Sequence, residues 1–472
     1  MVSIPFGSHS GGRSDRRPAG ARVDTLSSCN ADGLPRVAIV GGGFAGLYAA
    51  TRLNGEPVEV VLVDRLNYHL FQPLLYQVAT AGLSPRDIAQ PIRHLVSESE
   101  NISVLMATVT DIDTERRRVV TDGGAIAYDY LIVAAGARHS YFGRDNWERL
   151  APGLKDLDDA IEIRRRVLSA FEATERETDP ARRRALLTFV IVGGGPTGIE
   201  LAGALIELAR DALAHDFRCM NPADARIVLL ERGSRLLSGF HPAIGEWTMR
   251  RLTALGVEVR TDTGVTDLSP GVVEAGSLRI EAHNVLWAAG VKASPLGRAL
   301  GVPTDPAGRV RVAADLSVPG HSEIFAVGDL ALFTGPTGAP LPGLAPVAIQ
   351  MGRHAADNVL RLACGWATRE FRYRDRGMMA TIGRNAGVAQ IGRLKFDGLL
   401  GWLAWLFVHI VYLIGFRNRL LVLIEWAWAY ITFNRGVRLI TGTSVHQAEA
   451  AQPAAPAPAE QDALASGGRP GE

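Results

Sequence analysis

The chain writes one device twice, "VAIVGGGFAGLYAA" at Val37 to Ala50 and "FVIVGGGPTGIELAG" at Phe189 to Gly203. Each begins as an apolar run of strand character, breaks into three glycines and continues as a helix former. That is the pattern of a strand-to-helix turn that receives a dinucleotide pyrophosphate. In the first copy Gly41 permits the tight turn, Gly43 lets backbone approach the pyrophosphate, and Gly46 lets helix pack close to strand. Gly193, Gly195 and Gly198 take these places in the second copy, where Pro196 suits a first helical residue.

Both copies carry an acid at the end of the next strand. Asp64 closes "VEVVLVD" 23 residues after Gly41, the place from which a carboxylate accepts hydrogen bonds from an adenosine ribose. Glu231 closes "ARIVLLE" 38 residues after Gly193, because "HDFRCMNPAD" lengthens the connection. A carboxylate there favours NADH and repels the 2′-phosphate of NADPH, although a solvated charge ending a strand has the same signature. Each unit then has a strand ending in Ala-Ala-Gly, "YDYLIVAAGAR" with Ala135 and Gly136, and "AHNVLWAAGVK" with Gly290. These residues at these places predict two nucleotide-binding units.

The alternation of strand and helix favours an α/β fold of two Rossmann-like dinucleotide-binding domains with parallel, helix-covered sheets. Length agrees, since 472 residues exceed one ordinary core and two or three domains are the expectation. The strand "EIFAVGDLALF", which ends at Gly328 and Asp329, predicts a return of the chain to the first domain. The boundaries that follow are the first part of the first nucleotide-binding domain at 35–150, the second nucleotide-binding domain at 151–295, the return to the first at 296–365, and a short β-rich segment at 366–396. A charged helical stretch between Ala151 and Arg184 reads as a solvated connector.

Charge and cysteine content narrow the chemistry. Lys plus Arg number 50 against 49 Asp plus Glu, so nothing calls for nucleic acid as a bulk partner. Cys29, Cys219 and Cys364 are far apart and in no metal-ligand spacing, which supports neither a disulfide framework nor a metal site, and excludes Cys₄ ligation of an iron–sulfur cluster. A reducing compartment follows. Residues 1–34 have no apolar export core behind Arg16 and Arg17 and read as a disordered extension, with a transit peptide as the alternative. The Ala/Pro-rich residues 442–472 read as a disordered tail.

Residues 397–441 read as membrane-associated helices. Gly398 to Phe416 has 19 residues without Asp, Glu, Lys or Arg, which barely meets the ~20 needed to span hydrocarbon, so spanning is open but not compelled. A second run carries Glu425 and is rimmed by Trp426, Trp428, Tyr430, Arg435 and Arg438, a composition suited to a helix in the headgroup zone. A buried helix pair is the alternative.

The two turns differ two residues after their last glycine, where the first has Tyr48 and the second Glu200. Thr197 and Glu200 fit the spacing of a capping box. A catalytic carboxylate fits equally well.

These motifs in this order resemble the two-dinucleotide-binding flavoprotein reductases. Within them, "NYHLFQPLLYQVATAGLSP" at Asn67 to Pro85, "GGGPTGIELAGAL" and the apolar tail resemble type II NADH dehydrogenases, the single-subunit NADH:quinone oxidoreductases, over roughly Pro35 to Arg438. The resemblance implies that Gly41, Gly43, Gly46 and Asp64 hold FAD, with Asp329 on its ribityl-pyrophosphate portion. It implies that Gly193, Gly195, Gly198 and Glu231 hold NADH, and that Glu200 acts near nicotinamide and flavin in positioning and proton handling. The family's quinone helix carries two glutamines four residues apart; here it reads "APVAIQ", so Pro346 replaces the first and Gln350 remains for a quinone carbonyl. Pro346 is also a good helix-start residue.

The activity implied is non-pumping NADH:quinone oxidoreduction, from NADH through FAD to a membrane quinone such as ubiquinone or menaquinone. The implied setting is the bilayer surface at the cytoplasmic face of the cell membrane, contacted through residues 398–439, with a homodimer as the assembly. The rivals are an NADH reductase of a ferredoxin-like or other protein acceptor and a non-catalytic NADH-responsive flavoprotein.

Overall fold

The computed structural model describes residues 33–335, 338–413, 419–424, 426–427 and 437–441. The two extensions expected to be disordered, Cys29, Glu425, Trp428, Tyr430 and Arg435 lie outside the described residues, apart from Gly33 and Leu34. The first unit opens with β1 (Arg36–Val40), α1 (Phe44–Arg52), β2 (Glu59–Asp64), β3 (Ile102–Met106) and β4 (Tyr130–Val133). A short β5 (Ala137–His139) leads out of it. After α2 (Leu75–Ala79), placed between β2 and β3, and α3 (Leu157–Arg176), the second unit runs β6 (Thr188–Val192), α4 (Pro196–Glu207), β7 (Arg226–Leu230), β8 (Glu258–Arg260) and β9 (Asn284–Trp287). Then come β10 (Val291–Ala293), β11 (Ser317–Val318), β12 (His321–Ala326), α5 (Ala345–Ala363), β13 (Met378–Thr381), β14 (Gly387–Ile391), β15 (Leu394–Asp397) and α6 (Gly398–Tyr412).

The duplication seen in the motifs is a duplication of topology. The first sheet has the order β11-β12-β4-β1-β2-β3 and the second β8-β7-β6-β9, so the strand that feeds each glycine turn sits inside its sheet, between the acid-bearing strand and the Ala-Ala-Gly strand. All these pairings are parallel except that of the edge strand β11. Helices pack one face of each sheet. The other face, expected to be helix-covered too, is packed by a small three-stranded antiparallel sheet, residues 109–127 in the first unit and 267–281 in the second. Burial on both faces explains why residues 37–40 and 189–192 are apolar rather than alternating. The return predicted at Asp329 is the addition of β12 to β4, in register Ile324 to Leu131 and Ala326 to Val133.

One antiparallel ribbon joins the units. β5 pairs with β10, Ala137 opposite Ala293 and His139 opposite Val291, so the loops carrying Gly136 and Gly290 are tied together as they leave their sheets. Ser294 donates its N–H to the Gly136 carbonyl at 3.0 Å, and Ser140 to that of Gly290 at 3.1 Å.

The charged stretch expected to be a solvated connector is corrected by α3. Its apolar residues recur at Leu157, Ala160, Ile163, Val167 and Phe171, all buried, and Phe171 stacks on Phe189 of β6 with ring centroids 5.6 Å apart. The charges occupy the rest of the circumference, where Glu162 pairs with Arg165 and Arg166. Composition hid an amphipathic period of 3.6 residues.

The C-terminal part also differs from a spanning segment. Among the described residues no helix is long and apolar enough to cross a membrane. The 15-residue α6 ends at Leu413, whose backbone is extended. One face of α6 is buried through Gly401, Trp405 and His409, four residues apart, while Leu400 and Phe407 on the other face are 65% and 68% exposed. Two residues assigned to a headgroup rim turn inward instead. Trp426 donates its indole N–H to Gln77 Oε1 at 2.8 Å, and Arg438 pairs with Asp216 and with the Ala212 carbonyl.

Candidate functional site: two nucleotide cradles and a buried acid

Each glycine turn is packed so that its backbone is the only thing that fits. A side chain at Gly41 would strike the Ala134 carbonyl, and one at Gly46 would strike that of Gly41; Gly193 and Gly198 stand in the same relation to Ala288 and to Gly193. Gly41 and Gly193 have φ of +104° and +113°, which disfavours any residue with a Cβ. Gly43 and Gly195 are different, because a Cβ there would meet open space. These two glycines are the N-caps of α1 and α4, and neither helix has a side-chain cap or an acidic residue in its first turn. Two helix N-termini thus face open space with no internal anion to satisfy them, which fits a pyrophosphate in each.

The predicted acids hold the turns. Asp64 accepts from the N–H of Gly42 at 2.5 Å and of Leu66 at 2.8 Å; Glu231 accepts from Gly194 and Gly233, both at 2.6 Å. A carboxylate has about four acceptor sites, so each retains capacity for a ribose hydroxyl. Burial raises the pKa of Asp64, against the lowering effect of those two N–H groups.

Asp329 follows Gly328, which has φ of +68°, and its carboxylate pairs with Lys155 Nζ at 3.2 Å. Lys155, in the loop before α3, was not signalled by any motif. The cleft beside this pair is lined by Ala137, Ala293, Gly343, Val347 and Met351, so ribbon, return strand and α5 converge on it. Gly136 lies on the ribbon side with φ of +63°, following Ala135 at the end of β4, and a Cβ at Gly290 would touch the Phe142 ring. Chain elements that fit a dinucleotide in each unit therefore meet through one ribbon.

Glu200 is not a helix cap. The N-cap of α4 is Gly195 and no capping bond exists, so the Thr197/Glu200 capping-box reading is corrected. The Glu200 side chain instead points sideways into a seam between α4, β13 and α6. Its Oε1 accepts from the Thr381 N–H at 3.4 Å, and only 9% of the residue is exposed. Burial pushes its pKa up to about 8; the Thr381 N–H and the Trp405 indole pull weakly in the other direction. At neutral pH it is a protonated acid, able to give a proton.

Two glycine contacts build that seam. Gly203 of α4 lies against the backbone of Ile382 and Gly383, and Gly401 of α6 crosses Gly387 of β14, contacts with no room for a Cβ. One turn after Gly401 comes Trp405, whose buried indole N–H is near enough to Glu200 to favour its charged form but makes no hydrogen bond among the described residues. One turn later His409 stacks on Trp405 at 4.3 Å, 27° from parallel. His409 Nδ1 is 2.7 Å from the Trp405 carbonyl, and burial lowers its pKa to about 4, so this ring is neutral. Thr381, Trp405 and His409 were missed because their link to Glu200 is a contact between distant parts of the chain.

Pro346 is in the first turn of α5. Gln350, one turn on, uses its amide in two bonds to the backbone of Arg374, both 3.0 Å, leaving one N–H and one acceptor site for another partner. Cys219 and Cys364 are free and exposed, and among the described residues no cluster of His, Cys, Asp or Glu could hold a metal ion.

A duplicated dinucleotide fold with a ribbon between its cradles defines a pyridine nucleotide reductase, and the family model for pyridine nucleotide-disulphide oxidoreductases matches residues 35–352. The chain is 43% identical over 432 residues to the type II NADH:quinone oxidoreductase NdhA of Mycobacterium tuberculosis, covering 88% of this chain and 91% of that protein. It is likewise 43% identical to Ndh of the same organism over 422 residues, 86% and 90% of the two chains. Among solved structures, NDH2 from Plasmodium falciparum in complex with NADH superposes with a TM-score of 0.78 at 19% identity, over 86% of this chain and 100% of that one, a likeness of fold. The chain belongs to the type II NADH:quinone oxidoreductases of the pyridine nucleotide-disulphide oxidoreductase family.

Proposed function

We propose that the protein oxidises NADH and reduces a quinone, with FAD resident in the first cradle and NADH exchanging at the second. The observation that carries this is the pair of uncapped helix N-termini, behind Gly43 and Gly195, whose units are joined by the β5–β10 ribbon. Bound FAD supplies a two-electron carrier that takes hydride from NADH and returns the electrons to quinone. The protein's part is placement and protons. Gly41, Gly43, Gly46, Asp64, Ala135, Gly136 and Asp329 hold the flavin nucleotide; Gly193, Gly195, Gly198, Glu231 and Gly290 hold NADH.

Glu200, neutral at pH 7 in its seam, supplies a proton to the reduced quinone or relays one from solvent, and its burial excludes competing water. Pro346 and the remaining valences of Gln350 form one wall for the quinone. The exposed apolar residues Leu399, Leu400, Leu403 and Phe407 support peripheral attachment to a lipid surface through residues 398–439, at the cytoplasmic face. Domain limits at 35–150, 151–295 and 296–365 and a homodimer complete the reading; limited proteolysis and light scattering test these two. Vesicle flotation of the protein with and without residues 398–472 tests the attachment.

The function is tested anaerobically. NADH should bleach the bound flavin absorbance, and a short-chain quinone should restore it within one turnover. Bleaching without restoration by quinone would favour a protein acceptor, and no bleaching would favour a non-catalytic flavoprotein.

A further inference from the structure

The middle glycine of each turn is held from both sides, but by different groups. On the amide side the two copies agree, since Gly42 N–H bonds to Asp64 and Gly194 N–H to Glu231. On the carbonyl side they part. The Gly194 carbonyl accepts from the backbone N–H of Leu237 at 2.9 Å, whereas the Gly42 carbonyl is 3.0 Å from Nδ1 of His69. A carbonyl can only accept, so His69 carries its proton on Nδ1. The ring is 2% exposed, packs edge-on against Phe44 with centroids 5.1 Å apart, and its Nε2 has no hydrogen-bond partner among the described residues. Burial lowers its pKa and keeps it neutral.

We propose that His69 is the positioning residue of the first cradle, holding the Gly42 carbonyl inward so that the next amide faces the cofactor. The reason is the peptide plane. In a trans peptide the carbonyl of Gly42 and the N–H of Gly43 point in opposite directions, so fixing the carbonyl inside the protein aims the Gly43 N–H outward. A Cβ built at Gly43 meets nothing within 4 Å, so the chain leaves room for a ligand at this residue. In the second cradle Leu237 does the same for Gly195, from a loop whose own residue has φ of +51°. The first clamp is a side chain packed edge-on against Phe44; the second is the backbone N–H of Leu237, in a turn whose Leu236 and Leu237 side chains are buried in the core of the second unit. The difference is one of donor, a side chain in the first cradle and a backbone amide in the second, and the role of His69 rests on the reading that the first cradle holds FAD.

The test compares His69→Leu, which keeps bulk but has no donor, with His69→Asn, whose amide N–H falls near the place of Nδ1. FAD release is followed by the rise of free-flavin fluorescence, and NAD⁺ binding by calorimetry. We expect FAD to bind about ten- to one-hundred-fold more weakly in His69→Leu, from the loss of one buried bond, and most of that loss to be recovered in His69→Asn. NAD⁺ affinity should be unchanged in both. Melting curves of the flavin-stripped proteins control for folding, and His69→Phe replaces leucine if that variant does not fold. FAD held equally tightly by the donor-less variant, or asparagine as weak as leucine, overturns the role of His69 alone. A parent protein that binds no flavin overturns the FAD reading itself.

Discussion

The two cradles share a strand order, a glycine spacing and a carboxylate that ties the turn, yet what covers their helices differs. α1 is covered by α5, which approaches so closely that a side chain at Gly352 would strike the Ala45 backbone. There Tyr48 lies under the guanidinium of Arg353, 4.9 Å from the ring centroid. α4 is covered by β13, the strand of the small sheet β13–β15 on which α6 also packs, and Glu200, at the position of Tyr48, is sealed in that seam. Duplicated topology therefore supplied the device common to both copies, while the added covering elements buried an acid in one of them. A carboxyl group becomes a proton donor at neutral pH through its cover, not through its place in the motif.

Breaking the common device should produce the largest effects. Gly46→Val places branched carbons where the Gly41 carbonyl lies and should abolish flavin binding, read as loss of visible absorbance in the purified protein. Next is the acid that only the second copy has. Glu200→Gln keeps the neutral shape without the proton, and quinone reduction should fall about 100-fold, the lower range for a lost general acid. The parent rate should decline as pH rises through about 8, and the variant should lose that limb. The sign for stability follows from the same proton. The folded pKa lies above the unfolded value of 4.5, so the contribution is complete below pH 4.5 and is lost as pH rises to about 8. Melting temperature against pH should be flatter in the Gln variant across that window.

Smaller effects should sharpen the comparison. Glu231→Gln removes the repulsion of a 2′-phosphate but keeps an acceptor for the Gly194 N–H only weakly; the ratio of kcat/KM for NADH over NADPH should drop about ten-fold, or ~1.4 kcal/mol. Smallest is Trp405→Phe. It keeps a ring over Glu200 and deletes the indole N–H that lowers the pKa, so the alkaline limb should move upward by less than about one unit.

Local sequence carried the parts of this architecture that are local in the chain. The turns at Gly41 and Gly193, the acids Asp64 and Glu231, and the return at Asp329 each announce themselves within about forty residues of their partners. Glu200 was visible as an anomaly, with a role implied only by the family resemblance, but its burial was not, because Thr381 is 181 residues away and Trp405 lies further still. His69 was hidden for a different reason. It sits in a stretch whose likeness to the family is plain, but only the fold shows that its ring meets the Gly42 carbonyl. Arg438 and Trp426 read as headgroup anchors by composition alone, and their partners, Asp216 and Gln77, were again distant in sequence.

The proposed function divides the labour between the cradles, one keeping its nucleotide while the other turns it over. Gly198→Val, the counterpart of Gly46→Val, tests it most directly in an anaerobic spectroscopic titration. The variant should be purified with its flavin in place and fail to bleach at NADH concentrations that fully reduce the parent. Loss of flavin from this variant, or bleaching equal to that of the parent, would contradict the account.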